Sequence, residues 1–424
     1  MNVRLKIGQQ EVKLDLSDRH AISILRTPGE HLATTDAAVI DQALQAPVDS
    51  PTLEDFFRPQ DRVAVIVPDK TRMCKVHTIL PILLEKLETR GVKRENILIL
   101  FANGAHSRQT ETQKISILGE KVYRRYTNDE NDARDEFVAT ILGTTERGTP
   151  VAIHRAVANA DKVLVVSEVN HHYFAGFGGG AKMVMPGVAA YDSIVQNHRL
   201  TLTGDGDFHP LCFDGNLDGN PVYEDIVDAV QFYPPIFFVG VVLNEDGDIF
   251  HAIAGDVIQA HRREALIADG YYSIPIRELA DMVIVSAGGY PQDVNFVQTH
   301  KSIQHAYYAV KRGGVILCVA ECGEGIGSET LLDWFRFPDQ EEMMKTLLNQ
   351  YTLHGHTALS LQKKLDSVHV VLLSLLPSES VTRMRMVPVL TPAEAIRVAE
   401  SFLAPAYTCY VLEDGGKCVP RYVM

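Results

Sequence analysis

RVAVIVPDKTR, residues 62–72, holds an unbroken apolar run from Val63 to Pro68 and then turns abruptly polar. A strand with one wet face alternates apolar and polar side chains. A run that is apolar at every position belongs to a strand covered on both faces, as in the parallel sheets of α/β proteins. The flanking sequence agrees. HTILPILLEKLETRG (77–91) has helical apolar spacing and stops at Gly91. ENILILFANG (95–104) and ADKVLVVSEV (160–169) read as further buried strands. FFVGVVLNEDGDIFHAIAG (237–255) reads as a hairpin turning at its EDGD centre.

The rhythm restarts downstream. ADMVIVSAGG (280–289), GGVILCVAEC (313–322) and VHVVLLSLLP (368–377) are strands, and TPAEAIRVAESFL (391–403) is a helix with Thr391 and Glu394 at capping-box spacing and Pro392 in its first turn. MNVRLKIGQQEVKLDL at the N-terminus alternates like a strand pair. The expected architecture is α/β: two α/β domains with mainly parallel sheets and an active-site cleft between them. The division falls at residues 1–272 and 273–424, with the extreme C-terminus left to pack back on the first domain. Residues 104–150 read as a polar, helix-poor surface excursion.

Bulk properties exclude several classes. The 424 residues are 46% hydrophobic and 22% charged, with a formal net charge of −14 and no Lys/Arg-dense stretch, so a nucleic-acid partner is not expected. The longest apolar runs fall well short of the ~20 residues of a membrane span, and the N-terminus lacks a signal peptide's apolar core. Six scattered cysteines suggest a reduced, cytoplasmic protein without a disulfide framework. The oligomeric state, homo-oligomer included, is left open.

In open α/β sheets ligands gather beyond the carboxyl ends of the strands. Four polar clusters sit at such ends: DKTR (69–72), NGAH (103–106), NHH (170–172) and GGYPQD (288–293). The third opens into HHYFAGFGGGAKMVMPGVAAYDSIVQNH (171–198). Its Gly176–Ala181 segment fits G-x-G-x-x-A, but the preceding strand ends too early for a dinucleotide fingerprint. Met183 after Lys182 breaks the Walker A pattern. Gly178, Gly179 and Gly180 remain candidates for close backbone approach to a phosphate, against a glycine turn made for packing. Lys182, flanked by small and apolar residues, is a candidate desolvated nucleophile, against an ordinary surface lysine. His106, His172 and His198 are candidate acid/base or ligand groups, against capping or solvated histidines. Arg72 is a candidate carboxylate clamp. No HExxH or carboxylate cluster supports an all-protein metal site.

Together, strand-end DKTR, NGAH, His172-x9-Lys182 through GFGGGAK, His198 sixteen residues after that lysine, and GGYPQD followed by Gln298-x2-Lys301 resemble the nickel-dependent lactate racemase family. The resemblance runs in order over nearly the whole chain and is most specific from His172 to His198. It implies a racemase or epimerase of a 2-hydroxy acid, using a nickel pincer nucleotide bound to Lys182 as a thioamide. Hydride removal from C2 would be coupled to loss of the hydroxyl proton, through a planar 2-keto acid. His198 would ligate nickel, and His106 and His172 would be the two acid/bases. Arg72, Gln298 and Lys301 would bind substrate. Asp69, Thr71 and the glycines would accommodate the nucleotide. Enzymes that build the cofactor would be transient partners, and protein from a foreign host would lack it. Met73 stands where relatives often have proline, and Val297 where they often have an aromatic residue, which shifts the expectation toward another 2-hydroxy acid. Tyr290, His300 and Trp334 are candidates to line that side. The competing classes are an NAD-dependent oxidoreductase and a non-catalytic nucleotide-binding protein.

Overall fold

The computed structural model describes residues 1–17, 20–29, 34–72, 74–135 and 139–423; Met73 lies outside them. The chain divides into two compact units. One comprises Gly29–Thr201 and His209–Gly270, the other Met1–Pro28, Leu202–Phe208 and Tyr271–Met424.

In the first unit a six-stranded sheet runs in the order Ile249–Asp256, Ile236–Leu243, Lys162–Glu168, Val63–Pro68, Ile97–Ala102, Thr127–Glu130. All neighbours are parallel except the Ile249–Asp256 edge, which returns antiparallel from the 237–255 hairpin. That turn is held by Asn244, whose Oδ1 accepts from the Asp246 and Asp248 amides at 3.1 and 2.8 Å. Val63–Pro68 is buried at all six positions, as its continuous apolarity requires. The Val76–Arg90 helix covers one face with Ile79, Leu80, Leu83, Leu84 and Leu87, and Gly91 closes it in the left-handed region at φ 99°.

The excursion at 104–150 differs from the expectation. It contains helices at Glu111–Leu118 and Glu120–Arg125, and its Thr127–Glu130 strand extends the main sheet. The helices have about two turns each and bury only Ile117, Leu118 and Val122, too few apolar positions to show a period. The usable signal is the Thr110/Gln113 capping box, which is fully formed.

In the second unit six parallel strands run Val387–Val389, His369–Leu373, Val310–Val319, Ala280–Ser286, Thr408–Leu412, Ala21–Leu25. The N-terminal strand pair is an antiparallel hairpin, Asn2–Ile7 with Gln10–Asp15, whose Val3, Leu5 and Leu14 enter this unit's core. The Pro392–Glu400 helix is capped by Thr391, whose Oγ1 accepts from the Glu394 amide at 3.3 Å. The Glu394 carboxylate reaches the Leu390 amide instead of its Thr391 counterpart, so the box is shifted by one residue. Among the described residues no helix is long and apolar enough to cross a membrane.

Candidate active site

The order of the first sheet says where a ligand belongs. From Val63–Pro68 the chain steps to Ile97–Ala102 and Thr127–Glu130 on one side, then returns to Lys162–Glu168 and Ile236–Leu243 on the other. The direction reverses between Val63–Pro68 and Lys162–Glu168, and a crevice opens beyond the carboxyl ends at such a point. DKTR follows one of these strands and NHH the other, while NGAH follows the next strand over. The three clusters therefore share one end of three adjacent strands.

At the DKTR end, Asp69 is 2% exposed. Its Oδ1 accepts from the Thr71 hydroxyl at 2.8 Å and the Thr71 amide at 3.2 Å, and its Oδ2 lies 2.6 Å from Nδ1 of His106. Burial pushes the Asp69 carboxyl up, but His106, the Thr71 hydroxyl and Arg72 outweigh it, so the group titrates below its ordinary value and is ionised at neutral pH. A carboxylate only accepts, so Nδ1 of His106 donates. Nε2 is then the ring atom left to exchange a proton. The resemblance implies Asp69 among the nucleotide contacts; in the structure its oxygens face Thr71 and His106.

At the NHH end, His171–His172 pairs with Gly176–Phe177 as a two-residue antiparallel ladder. The neighbouring histidines face opposite ways. Nε2 of His171 donates to the Asp269 carboxylate at 2.8 Å, and the ring stacks on Phe177. His172 meets Phe174 edge-on, with centroids 4.5 Å apart. The opposite-facing pair is why only His172 joins the remaining groups.

Phe174 is the hub. It is 5% exposed. Nζ of Lys182 lies 5.2 Å from its ring centroid, and the His198 ring packs against it at 5.0 Å. His198 stands in the last turn of the Tyr191–Arg199 helix. One aromatic side chain thus brings His172, Lys182 and His198 together. Lys182 sits in a tight turn, Gly180–Met183, and is buried. Burial, followed by the nearby Arg72 charge, holds its amine well below the ordinary lysine range. The surface-lysine alternative therefore fails.

The glycines serve packing whatever else they do. A Cβ at Gly179 would lie 2.3 Å from the Glu168 carbonyl oxygen, and one at Gly180 would lie 2.4 Å from the His261 ring. Gly178 faces side chains, with Asn170 Oδ1 at 2.9 Å and Arg72 Nη1 at 3.1 Å from its would-be Cβ. This places the Arg72 guanidinium against the glycine loop. Phe174 and His261 had no distinguishing sequence signal: one is an aromatic in an aromatic-rich stretch, the other a lone histidine in a helix, 83 residues beyond Gly178.

Gln298 and Lys301 belong to the other unit. Both lie on the Phe296–Tyr307 helix, capped by Asn295, and Nζ of Lys301 donates to Oε1 of Gln298 at 2.5 Å. Tyr290 is 38% exposed, His300 is fully buried, and Trp334 is buried against Phe337 and Gly355.

Comparison with known proteins adds an independent line. Residues 7–208 match the lactate racemase N-terminal domain and residues 276–419 the lactate racemase C-terminal domain. A lactate racemase of Thermoanaerobacterium thermosaccharolyticum is 28% identical over 428 residues, covering 99% of both chains. One of Lactiplantibacillus plantarum is 30% identical over 399 residues, covering 91% of both. The structure of the T. thermosaccharolyticum lactate racemase apoprotein matches with a TM-score of 0.88 at 27% identity, covering 99% of this chain and all of that one. A Thermotoga maritima protein shares the fold at 14% identity, with a TM-score of 0.69.

Proposed function

The chain belongs to the lactate racemase family and is, like its namesakes, a racemase; we propose that it inverts C2 of a 2-hydroxy acid with a nickel pincer nucleotide joined to Lys182. The observation that carries this reading is the cluster around Phe174, where a buried amine of lowered basicity shares one ring with His198 and His172.

The residues fit such a group. An amine whose basicity is lowered by burial is a better nucleophile, able to form an amide-like link. Among the described residues no group of three or more His, Cys, Asp or Glu side chains could hold a metal ion. The donor set suits a metal that arrives with most of its ligands and takes one imidazole, which we assign to His198. When bound, the nickel pincer nucleotide supplies reversible acceptance of hydride.

The chain's own work is binding and proton transfer. Inversion needs an acid/base on each face of a carbon that turns planar. We assign one face to Nε2 of His106, whose ring is held by Asp69 through Nδ1, and the other to His172. Arg72, against Gly178, is assigned to the substrate carboxylate, where its planar fork gives two parallel hydrogen bonds. Substrate orientation by Gln298 and Lys301, and nucleotide contacts by Asp69, Thr71, Gly178, Gly179 and Gly180, rest on the resemblance. We place the enzyme in the cytoplasm with cofactor-building enzymes as transient partners.

The test is intact mass and nickel content of protein from its native host, or from a host co-expressing cofactor-building enzymes. The expected result is a nucleotide-sized adduct on Lys182 with about one nickel per chain. The adduct should be absent in Lys182→Ala. An unmodified Lys182 under conditions that load another family member would overturn the reading.

A further inference from the structure

His261 plays no part in the chemistry above, yet it lies under the turn that presents the amine. It is fully buried in the Gln259–Tyr272 helix. Its Nε2 lies 2.9 Å from the Gly178 carbonyl oxygen, which can only accept, so Nε2 carries the ring proton. Its ring also fills the space that a side chain at residue 180 would occupy, with two ring carbons 2.4 Å from a would-be Cβ. It thus touches the loop on both sides of Gly179, three residues before Lys182.

The second observation is what the ring leaves undone. Nδ1 is buried and has no hydrogen-bond partner among the described residues. An orphaned acceptor is a cost that an apolar residue of similar size would avoid. Packing against Tyr223 and Phe238 would suit a leucine or phenylalanine equally well. The donor that reaches Gly178 is the feature only a polar residue supplies. Other bonds also hold the loop, with the Gly178 amide donating to the Asn170 carbonyl at 2.7 Å, the Gly180 amide to the Ser167 hydroxyl at 3.1 Å and the Lys182 amide to the Gly179 carbonyl at 3.1 Å, but the bond on the Gly178 carbonyl is the one that His261 supplies.

We propose that His261 is a positioning residue for Lys182: its Nε2–H clamps the Gly178 carbonyl and its ring supports Gly180, which fixes the turn that holds the amine at the Phe174 ring. This deepens the proposed function, since the clamp matters most to a reaction that modifies or uses that amine, but its geometry stands whether or not a cofactor is attached.

The test uses two variants of the cofactor-free protein, His261→Leu and His261→Gln. Leucine keeps the bulk and removes the donor. Glutamine places an amide N–H near the position of Nε2. Hydrogen exchange read by mass spectrometry compares the 176–185 segment with the sheet segments 62–69 and 236–243. His261→Leu should speed exchange in 176–185 by about tenfold or more and leave the sheet segments as they are, while His261→Gln should stay within about threefold of wild type. Unchanged exchange in 176–185, or equal acceleration in all three segments, would overturn the clamp. Loading in a cofactor-producing host is the second readout: the Lys182 adduct should fall in His261→Leu and persist in His261→Gln, and equal loading of both would also overturn the proposal. If wild type itself takes no adduct, the racemase chemistry fails while the exchange result still decides the role of His261.

Discussion

Replacing Asp69 by Asn changes no volume but should cost most of the activity. Oδ1 of Asp69 already receives two hydrogen bonds from Thr71, and Oδ2 receives one from Nδ1 of His106 at 2.6 Å. An asparagine must keep its oxygen toward the two Thr71 donors. Its NH2 then faces His106 and donates to Nδ1, which drives the ring proton onto Nε2. The nitrogen assigned as base becomes a donor. Loss of a charge-assisted bond alone is worth about 1.5–3 kcal/mol, or roughly 10- to 150-fold. Loss of general base function extends this to ~10²–10⁴-fold. The expected result is a fall in kcat of about 10²-fold or more, with KM little changed, measured as racemisation by chiral chromatography on loaded enzyme. Thr71→Val removes only the hydroxyl bond and should cost roughly threefold to tenfold. Intact mass must accompany both, because a lost adduct with normal kcat per loaded site would mean that Asp69 acts on the nucleotide and not on His106. Loaded Asp69→Asn enzyme within twofold of wild type would refute the reasoning.

Phe174→Leu nearly conserves volume, so stability should fall by less than ~1.5 kcal/mol in urea titrations, while kcat drops because three groups lose their shared wall; unchanged kcat would deny Phe174 its organising part. Gly179→Ala should destabilise the protein by about 2–4 kcal/mol, from a left-handed backbone at φ 75° plus the 2.3 Å approach to Glu168. Gly148→Ala, also left-handed but with nothing within 4 Å, should cost only ~1 kcal/mol. Equal melting shifts for the two glycine variants would contradict the packing account. Burial pushes His261 down to about 4 and His356 down to about 3 from the ordinary value of 6.5. The unfolded chain therefore binds more protons than the folded one between these values. Stability is full above pH 6.5 and should fall as pH drops through 6.5 toward 4. Urea midpoints at pH 7.5 and 5.0 check this, and an equal or higher midpoint at pH 5.0 would contradict it.

Local pattern sufficed where one segment carries its own reason. Val63–Pro68 could be read as a doubly covered strand because no polar side chain interrupts it. Gly91 could be read as a helix stop because the chain turns left-handed there. The DKTR, NGAH and NHH clusters could be placed at strand ends because polarity begins where the apolar run stops. Lys182 could be singled out because its neighbours are small and apolar, and it is indeed buried. Short elements escaped: Glu111–Leu118 and Glu120–Arg125 bury too little to leave a period, and Thr408–Leu412 and Ala21–Leu25 are five-residue strands with ordinary composition.

The sequence by itself determined the fold class, the sites where chemistry-bearing residues leave the sheet, and the family. Each of these is written in contiguous stretches or in their order. Only the tertiary structure decided which residues meet. Ala21–Leu25 pairs with Thr408–Leu412 across almost the whole chain. Asp69 turns to His106, 37 residues on, and His261 reaches Gly178 from 83 residues away. Such partners are chosen by strand order and by competition among buried donors and acceptors, and neither has any signature at the residue itself.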